Sequence, residues 1–289
     1  ATMLDRQVLN YEVILGCIAI GSVIGAIIAQ RVEMTAMPQM VGLLNGLGGA
    51  ASALVAIGEL WRYFEVAQTP DTGGIISILL GVLIGGVTFT GSVIAFAKLQ
   101  GLVSGAPVIF PLQQAFNAAL LVSFIIGSGF FLSSDITQSM FLGLILISLV
   151  LGVMFVLPIG GGDMPVVISL LNSFTGVAAA TGGFMYHNKI MLMGGVLVGS
   201  AGTILTVVMC KAMNRSLTNV LIGMAGANSS GGGSSSAGGS VREVQATDVA
   251  IMMKYASKVV IVPGYGLAVA QAQHVCHELE NLLVEEGVD

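Results

Sequence analysis

Seven long apolar stretches follow one another along the chain, near residues 12–29, 38–58, 75–97, 115–132, 138–158, 164–184 and 190–210. Each has the length of about 20 residues that an α-helix needs to cross a hydrocarbon core. Breakers and charges fall between them, in QRVEMTAMP, ELWRYFEVAQTPDTGG, KLQGLVSGAPVIFPLQQ, SSDITQ, GGGD and YHNK. After Arg215 the apolar character falls away. GANSSGGGSSSAGGS is a flexible linker by composition, and residues 241–289 read as a soluble α/β segment. Within that segment VVIV at 259–262 predicts a buried strand, PGYGLA a glycine turn, and the remainder a helix. The pattern therefore predicts a polytopic α-helical membrane protein of about seven transmembrane helices, followed by an incomplete Rossmann-like α/β segment. Three regions follow: a helical bundle over 1–215, a Gly/Ser linker over 216–240 and the beginning of a nucleotide-binding domain over 241–289.

Composition agrees with a lipid environment. Mean hydropathy is +0.94. Charged residues make up 9% of the chain, where a soluble domain carries about a quarter. So few charges cannot cover a water-facing surface, and the 40 glycines suit membrane helices that pack closely. The net charge of −5, with its acidic residues concentrated after residue 240, argues against a nucleic-acid partner. Cys17, Cys210 and Cys276 show no pairing pattern. The start, ATMLDRQ, has neither an initiator Met nor a basic leader, so no signal peptide is expected and both ends look cut. With seven spans, Arg31, Lys98, Lys211 and Arg215 face one side and Arg6, Arg62 and Lys189 the other, which barely decides orientation. The nucleotide segment decides it: the C-terminus is expected on the cytosolic or matrix side.

Small and polar residues recur at helical spacing inside the apolar stretches. Gly42, Asn45, Gly49, Ser52 and Ala56 share one face of the second, and Gly81, Gly85, Thr88, Ser92 and Ala95 one face of the third. The sixth carries Ser169, Asn172, Gly176, Ala179 and Gly183, and the seventh Gly195, Gly199, Gly202 and Thr206. Such stripes let backbones approach and allow hydrogen bonds between helices, and packing alone would account for most of them. Asn45 and Asn172 carry two open readings, interhelical glue or stations on a hydrophilic path, because a buried amide must satisfy both its N–H and C=O groups. No Asp, Glu, Lys, Arg or His lies well inside a predicted span. A proton path would then need its titratable station from another polypeptide.

Asp163 in GGGDMP also has two readings, a plain N-cap before Pro165 or a group at the membrane surface facing the nucleotide segment. In the C-terminal turn, Gly264 permits the tight bend and Gly266 lets a pyrophosphate approach the backbone at the helix N-terminus. Tyr265 is placed to pack on the dinucleotide, Ala268 and Ala270 keep helix and strand close, and Val269 between them belongs to the same cofactor-binding turn. His274 and His277 lie one helical turn apart beside Cys276 without a completing carboxylate motif, so no metal site is predicted.

RVEMTAMPQMV, GGVTFTGSVIAFAKLQG, GGGDMPVVISLLNSFTG, GVLVGSAGTILTVVMCKAMNRS and VVIVPGYGLAVAQAQ resemble the beta subunit of proton-translocating nicotinamide nucleotide transhydrogenase, from about residue 12 to the end. The resemblance implies hydride transfer between NAD(H) and NADP(H) coupled to a proton crossing the membrane. It implies NADP(H) on the Gly264–Ala270 turn of this chain when complete, and NAD(H) on a partner. That partner would be an alpha subunit or domain with further membrane helices, in a homodimer of the complete unit. It places Asn172, with Asn45 and Ser169, on the proton path, and Asp163 at its inner mouth. Gly199, Ser200 and Gly202 match the glycine–serine run implied to relay conformational change, and Lys211 to Arg215 the junction with the nucleotide domain. Many members carry His where this sequence has Asn45, which implies a His on a partner helix. The family's chain continues well past Asp289 and has additional helices upstream, so this polypeptide by itself is expected to be inactive. The expected membrane is bacterial plasma or mitochondrial inner. The alternative is a channel or transporter gated by a nucleotide-sensing domain, but no TVGYG-like filter or paired interrupted helices occur.

Overall fold

A computed structural model of the chain describes residues 11–33, 36–66, 71–133, 137–213, 216–221, 246–262, 264, 267 and 272–289. Seven of its helices are long and apolar enough to cross a membrane. They are α1 (Tyr11–Arg31), α2 (Met37–Val66), α3 (Thr72–Leu99), α4 (Gln113–Ser133), α5 (Gln138–Val156), α6 (Met164–Met185) and α7 (Lys189–Ala212). The short α8 (Leu217–Leu221) follows. All seven predicted spans are present. The second is much longer than its apolar stretch, running on from residue 58 through Glu59, Trp61 and Arg62 to Val66.

Helix α3 is the centre of the bundle, in contact with α2, α5 and α6, while α6 also packs on α7 and α2. The small-residue stripes explain why. A Cβ added to Gly49 would stand 2.9 Å from the Phe89 backbone nitrogen, and one on Gly85 2.8 Å from that of Ala53. Along the α6–α7 seam, a Cβ on Gly176 would run into the backbone of Gly199, and one on Gly202 would lie 2.8 Å from the Ser173 nitrogen. Only glycine lets these backbones meet, and close approach is what holds helices together where lipid removes the hydrophobic drive. Two apolar clusters fill the remaining space. One surrounds Leu60, Ile78, Phe131 and Phe141; the other surrounds Ile159, Met164, Val167 and Leu171. No residue of α1 is buried.

Two charged side chains are buried just past the ends of the apolar stretches predicted as spans, within these longer helices. Glu59 is 8% exposed and Lys98 4%. The Lys98 Nζ donates to the carbonyls of Leu157 (2.5 Å) and Ile159 (2.8 Å). Those carbonyls lie just beyond the C-terminal end of α5, where acceptors lack helical partners and a cation is favoured.

A second unit contains residues 230–289, with 33–35. Its described helices are α9 (Ala246–Lys254) and α10 (Gln273–Glu285). Residues 259–262, predicted as a strand, belong to no strand, and none occurs among the described residues. The physical reason is the lack of a ladder, since a strand is defined by its neighbour. One pair of bonds does form: Val259 N–H donates to the Asp289 carbonyl at 2.7 Å and Asp289 N–H to that of Ser257 at 3.3 Å. That is the two-bond pattern of a parallel pair, one residue long.

Candidate functional site

The polar centre of the bundle is built by α2, α3 and α6. Asn45 on α2 donates from Nδ2 to the Ser92 hydroxyl of α3 at 2.9 Å and accepts at Oδ1 from the Thr175 hydroxyl of α6 at 2.8 Å. Asn45 is 8% exposed and Ser92 fully buried. Flanking glycines make room: a Cβ on Gly46 would lie 3.1 Å from the Ser92 Cβ, and one on Gly48 3.2 Å from the Thr175 methyl. Three helices are thus joined by one amide whose donor and acceptor are both engaged.

Asn172 lies about one turn from Thr175 along α6. It is partly buried, and no hydrogen bond to its side chain occurs among the described residues. A second polar layer, between α6 and α7, passes on the other side of it. Ser169 accepts from Thr206 at 3.1 Å and donates to the Gly202 carbonyl at 3.3 Å. Ser173 donates to the Gly199 carbonyl at 2.7 Å and shares a 2.8 Å bond with Thr203. Gly199 and Gly202 therefore enter through their carbonyls and their missing side chains. Ser200 does not join them: it is exposed and bonds back to Val196 (2.7 Å) and Leu197 (3.1 Å) of its own helix.

Asp163 is 5% exposed, at the end of a short 3-10 turn, Gly161–Asp163, that leads directly into α6. It occupies the N-cap position, but its side chain makes no capping bond, so the plain capping reading fails. Its φ of −95° and ψ of −2° continue the preceding turn instead of opening into the extended form that a capping side chain needs. Because α6 and α7 run antiparallel, Asp163 lies at the end of the bundle where α7 finishes. Lys98 lies at the same end, and its hold on Leu157 and Ile159 fixes the segment that carries Asp163. Gly161 N–H adds a 2.8 Å bond to the Gly105 carbonyl.

At the opposite end, Glu59 of α2 pairs with Arg62 at 2.5 Å, and Arg62 covers the Tyr63 ring at 5.1 Å. Tyr186, beyond the end of α6, has its phenol pushed up to about 12, first by burial and then by the Glu59 carboxylate.

Of the C-terminal turn, Gly264 is exposed, with open space where a Cβ would stand. The Leu267 N–H donates to the Gly264 carbonyl at 3.1 Å. Tyr265, Gly266, Ala268, Val269, Ala270 and Arg215 lie outside the described residues. Glu59, Lys98, Ser173, Thr175 and Thr203 are the residues that sequence reasoning missed. Ser173 and Thr175 lie in the quoted LLNSFTG block, one and three positions from Asn172.

Comparison with known proteins gives the relatives. A family model for the NAD(P) transhydrogenase beta subunit matches residues 1–289. The chain is 45% identical over 297 aligned positions to NAD(P) transhydrogenase subunit beta of Rhodospirillum rubrum. A strain-specific sequence from the same organism matches equally well. The alignment takes in 100% of this chain and 63% of that relative, so the chain spans less than two thirds of the length of the curated relatives it matches. The chain belongs to the NAD(P) transhydrogenase beta subunit family.

Proposed function

We propose that this chain supplies the proton-conducting helices, and the beginning of the NADP(H)-binding domain, of a proton-translocating NAD(P) transhydrogenase. The observation that carries the reading is the Asn45–Ser92–Thr175 junction: a continuous polar contact across three helices at the centre of an apolar bundle. Polar groups inside a membrane bundle point to function, and Asn172, partly buried beside the junction, makes no side-chain hydrogen bond among the described residues.

In this reading Asn45, Asn172 and Ser169 line the path, and Asp163 stands at its mouth, where α7 ends. Residues 1–215 form the translocating bundle, 216–240 the linker, and 241–289 the start of a Rossmann-like domain. The exposed Gly264, the helix α10 that follows and the two backbone bonds joining 257–259 to Asp289 support that last assignment, since a glycine, a helix and a parallel return are parts of a βαβ unit. In this reading a pyrophosphate would lie at Gly264, which is exposed with open space where a Cβ would stand. The bound nicotinamides supply the hydride donor and acceptor, so no side chain of this chain need act as nucleophile. NAD(H) would come on an alpha subunit with its own membrane helices, in a dimer of the complete unit, with the C-terminus on the cytosolic or matrix side.

Ser169 and Ser173 grip the carbonyls of Gly202 and Gly199, so a shift of α7 alters the polar layer directly beside Asn172. Occupancy of the path and the state of the nucleotide domain would be linked in this way. The test is reconstitution of the complete complex into vesicles, with NADPH reducing an NAD analogue. A change in vesicle pH that tracks hydride transfer is expected. Hydride transfer at an unchanged vesicle pH would refute the coupling.

A further inference from the structure

Glu59 has no part in the path described so far, yet it lies on that path's face of α2. Asn45, Ser52 and Glu59 are spaced at i, i+7 and i+14, two turns apart each time, so they fall nearly in line. From Asn45 to Glu59 the line covers about 21 Å of helix. It ends in a carboxylate placed at the opposite end of the bundle from Asp163.

An ordinary i, i+3 ion pair at a helix surface has two exposed partners and contributes little. Here the Arg62 side chain is 59% exposed and that of Glu59 only 9%, so the guanidinium meets water while the carboxylate is held beneath it. Beside Glu59 along α2, Leu60 is 1% exposed and belongs to an apolar cluster with Ile75 and Ile78 of α3. Tyr63 lies on α2 itself, and Tyr186 comes from beyond α6. Tyr186 stays protonated through the physiological range, its phenol being held up at about 12. Glu59 thus stands between an exposed cation, Arg62, and a phenol donor, Tyr186, which are the partners that a buried carboxylate at a proton-exchanging site requires.

We propose that Glu59 is the proton-exchanging group at the end of the bundle opposite Asp163, with Arg62 and Tyr186 as its positioning residues and Ser52 between it and Asn45. The proposal rests on the proton-path reading above. A hydronium at that surface gives its proton to the Glu59 carboxylate, leaving water and a neutral acid. The acid then gives the proton to a water molecule on the Ser52 face, forming hydronium there, and recovers its charge and its pairing with Arg62; the Ser52 hydroxyl itself donates to the Gly48 carbonyl of its own helix.

The experiment uses the complete complex in vesicles, with hydride transfer and vesicle pH followed together while the pH on the Glu59 side is varied. Glu59→Gln should cut coupled turnover about a hundredfold, the lower end of what a positioned proton acceptor contributes. It should also abolish the dependence of rate on pH at that side, and Glu59→Asp should restore both. Tyr186→Phe keeps the carboxylate and should move the midpoint of that pH dependence, which serves as the test should Glu59→Gln fail to assemble. Wild-type pumping and an unchanged pH dependence in Glu59→Gln, or in Tyr186→Phe where that variant carries the test, would overturn the role of Glu59 while sparing the proton path. A wild-type complex that moves no protons would overturn both.

Discussion

Asn45 and Asn172 look alike in the sequence and differ in what they touch. Asn45 satisfies Ser92 and Thr175, whereas Asn172 has no side-chain hydrogen bond among the described residues. Interhelical hydrogen bonds in membranes average about 0.6 kcal/mol, and a buried polar group stranded by mutation costs about 1–3 kcal/mol. Asn45→Leu is therefore expected to lower the midpoint of thermal unfolding in detergent, because Ser92 is left buried without its donor. Asn172→Leu removes no such bond and should leave that midpoint unchanged while reducing proton movement in vesicles at retained NADP binding. Equal pumping by Asn172→Leu and wild type would take Asn172 off the path. Both asparagines were legible as candidates, since an amide in an apolar stretch stands out. Glu59 and Lys98 were not. Hydropathy ends a span at the first charge, whereas whether that charge is buried depends on which neighbouring helix covers it.

The glycine stripes are the part of the fold most legible at the level of the helix. Gly195, Gly199, Gly202 and Thr206 recur at helical spacing and all are buried in α7. The same spacing would have excluded Ser200, which lies about 100° around the helix from Gly199 and faces outward. What spacing does not reveal is how near the partner backbone comes. Gly176 and Gly129 both lie within apolar helices, yet a Cβ on Gly176 meets the Gly199 backbone and one on Gly129 meets nothing within 4 Å. Gly129→Ala is expected to be neutral, or stabilising by up to about 1 kcal/mol from helix propensity. Gly176→Ala must push α6 and α7 apart, an overpacking cost of about 1–3 kcal/mol. Thermal unfolding of the two variants in detergent distinguishes them, and equal midpoints would mean that the α6–α7 seam yields without cost.

At the scale of the molecule, the buried ionisable groups collect at the two ends of the bundle and the uncharged polar layers between them. Asp163 and Lys98 stand where α7 finishes; Glu59, with the exposed Arg62, stands at the other end. In the proposed function helix α7 would report the nucleotide state, since its glycine carbonyls are held by Ser169 and Ser173 and the chain leads from it toward the segment proposed to bind nucleotide. The sequence marks that segment by its glycine turn and by a strand at 259–262, and the strand is not among the described elements because an apolar run does not by itself supply the neighbour a ladder needs. Cys210 offers a probe: it is 4% exposed, near the end of α7, and packs in the cluster that holds Met164 and Val167. Allosteric couplings of about 1–3 kcal/mol correspond to changes of roughly 5–150-fold. NADP(H) added to the complete complex is therefore expected to change the maleimide labelling rate of Cys210 at least fivefold, read by peptide mass spectrometry. Cys17 on α1, where no residue is buried, should not respond. If Cys210 labels at one rate whether or not NADP(H) is bound, α7 does not move with the nucleotide, and the polar layer it shares with α6 cannot be the link between hydride transfer and the proton.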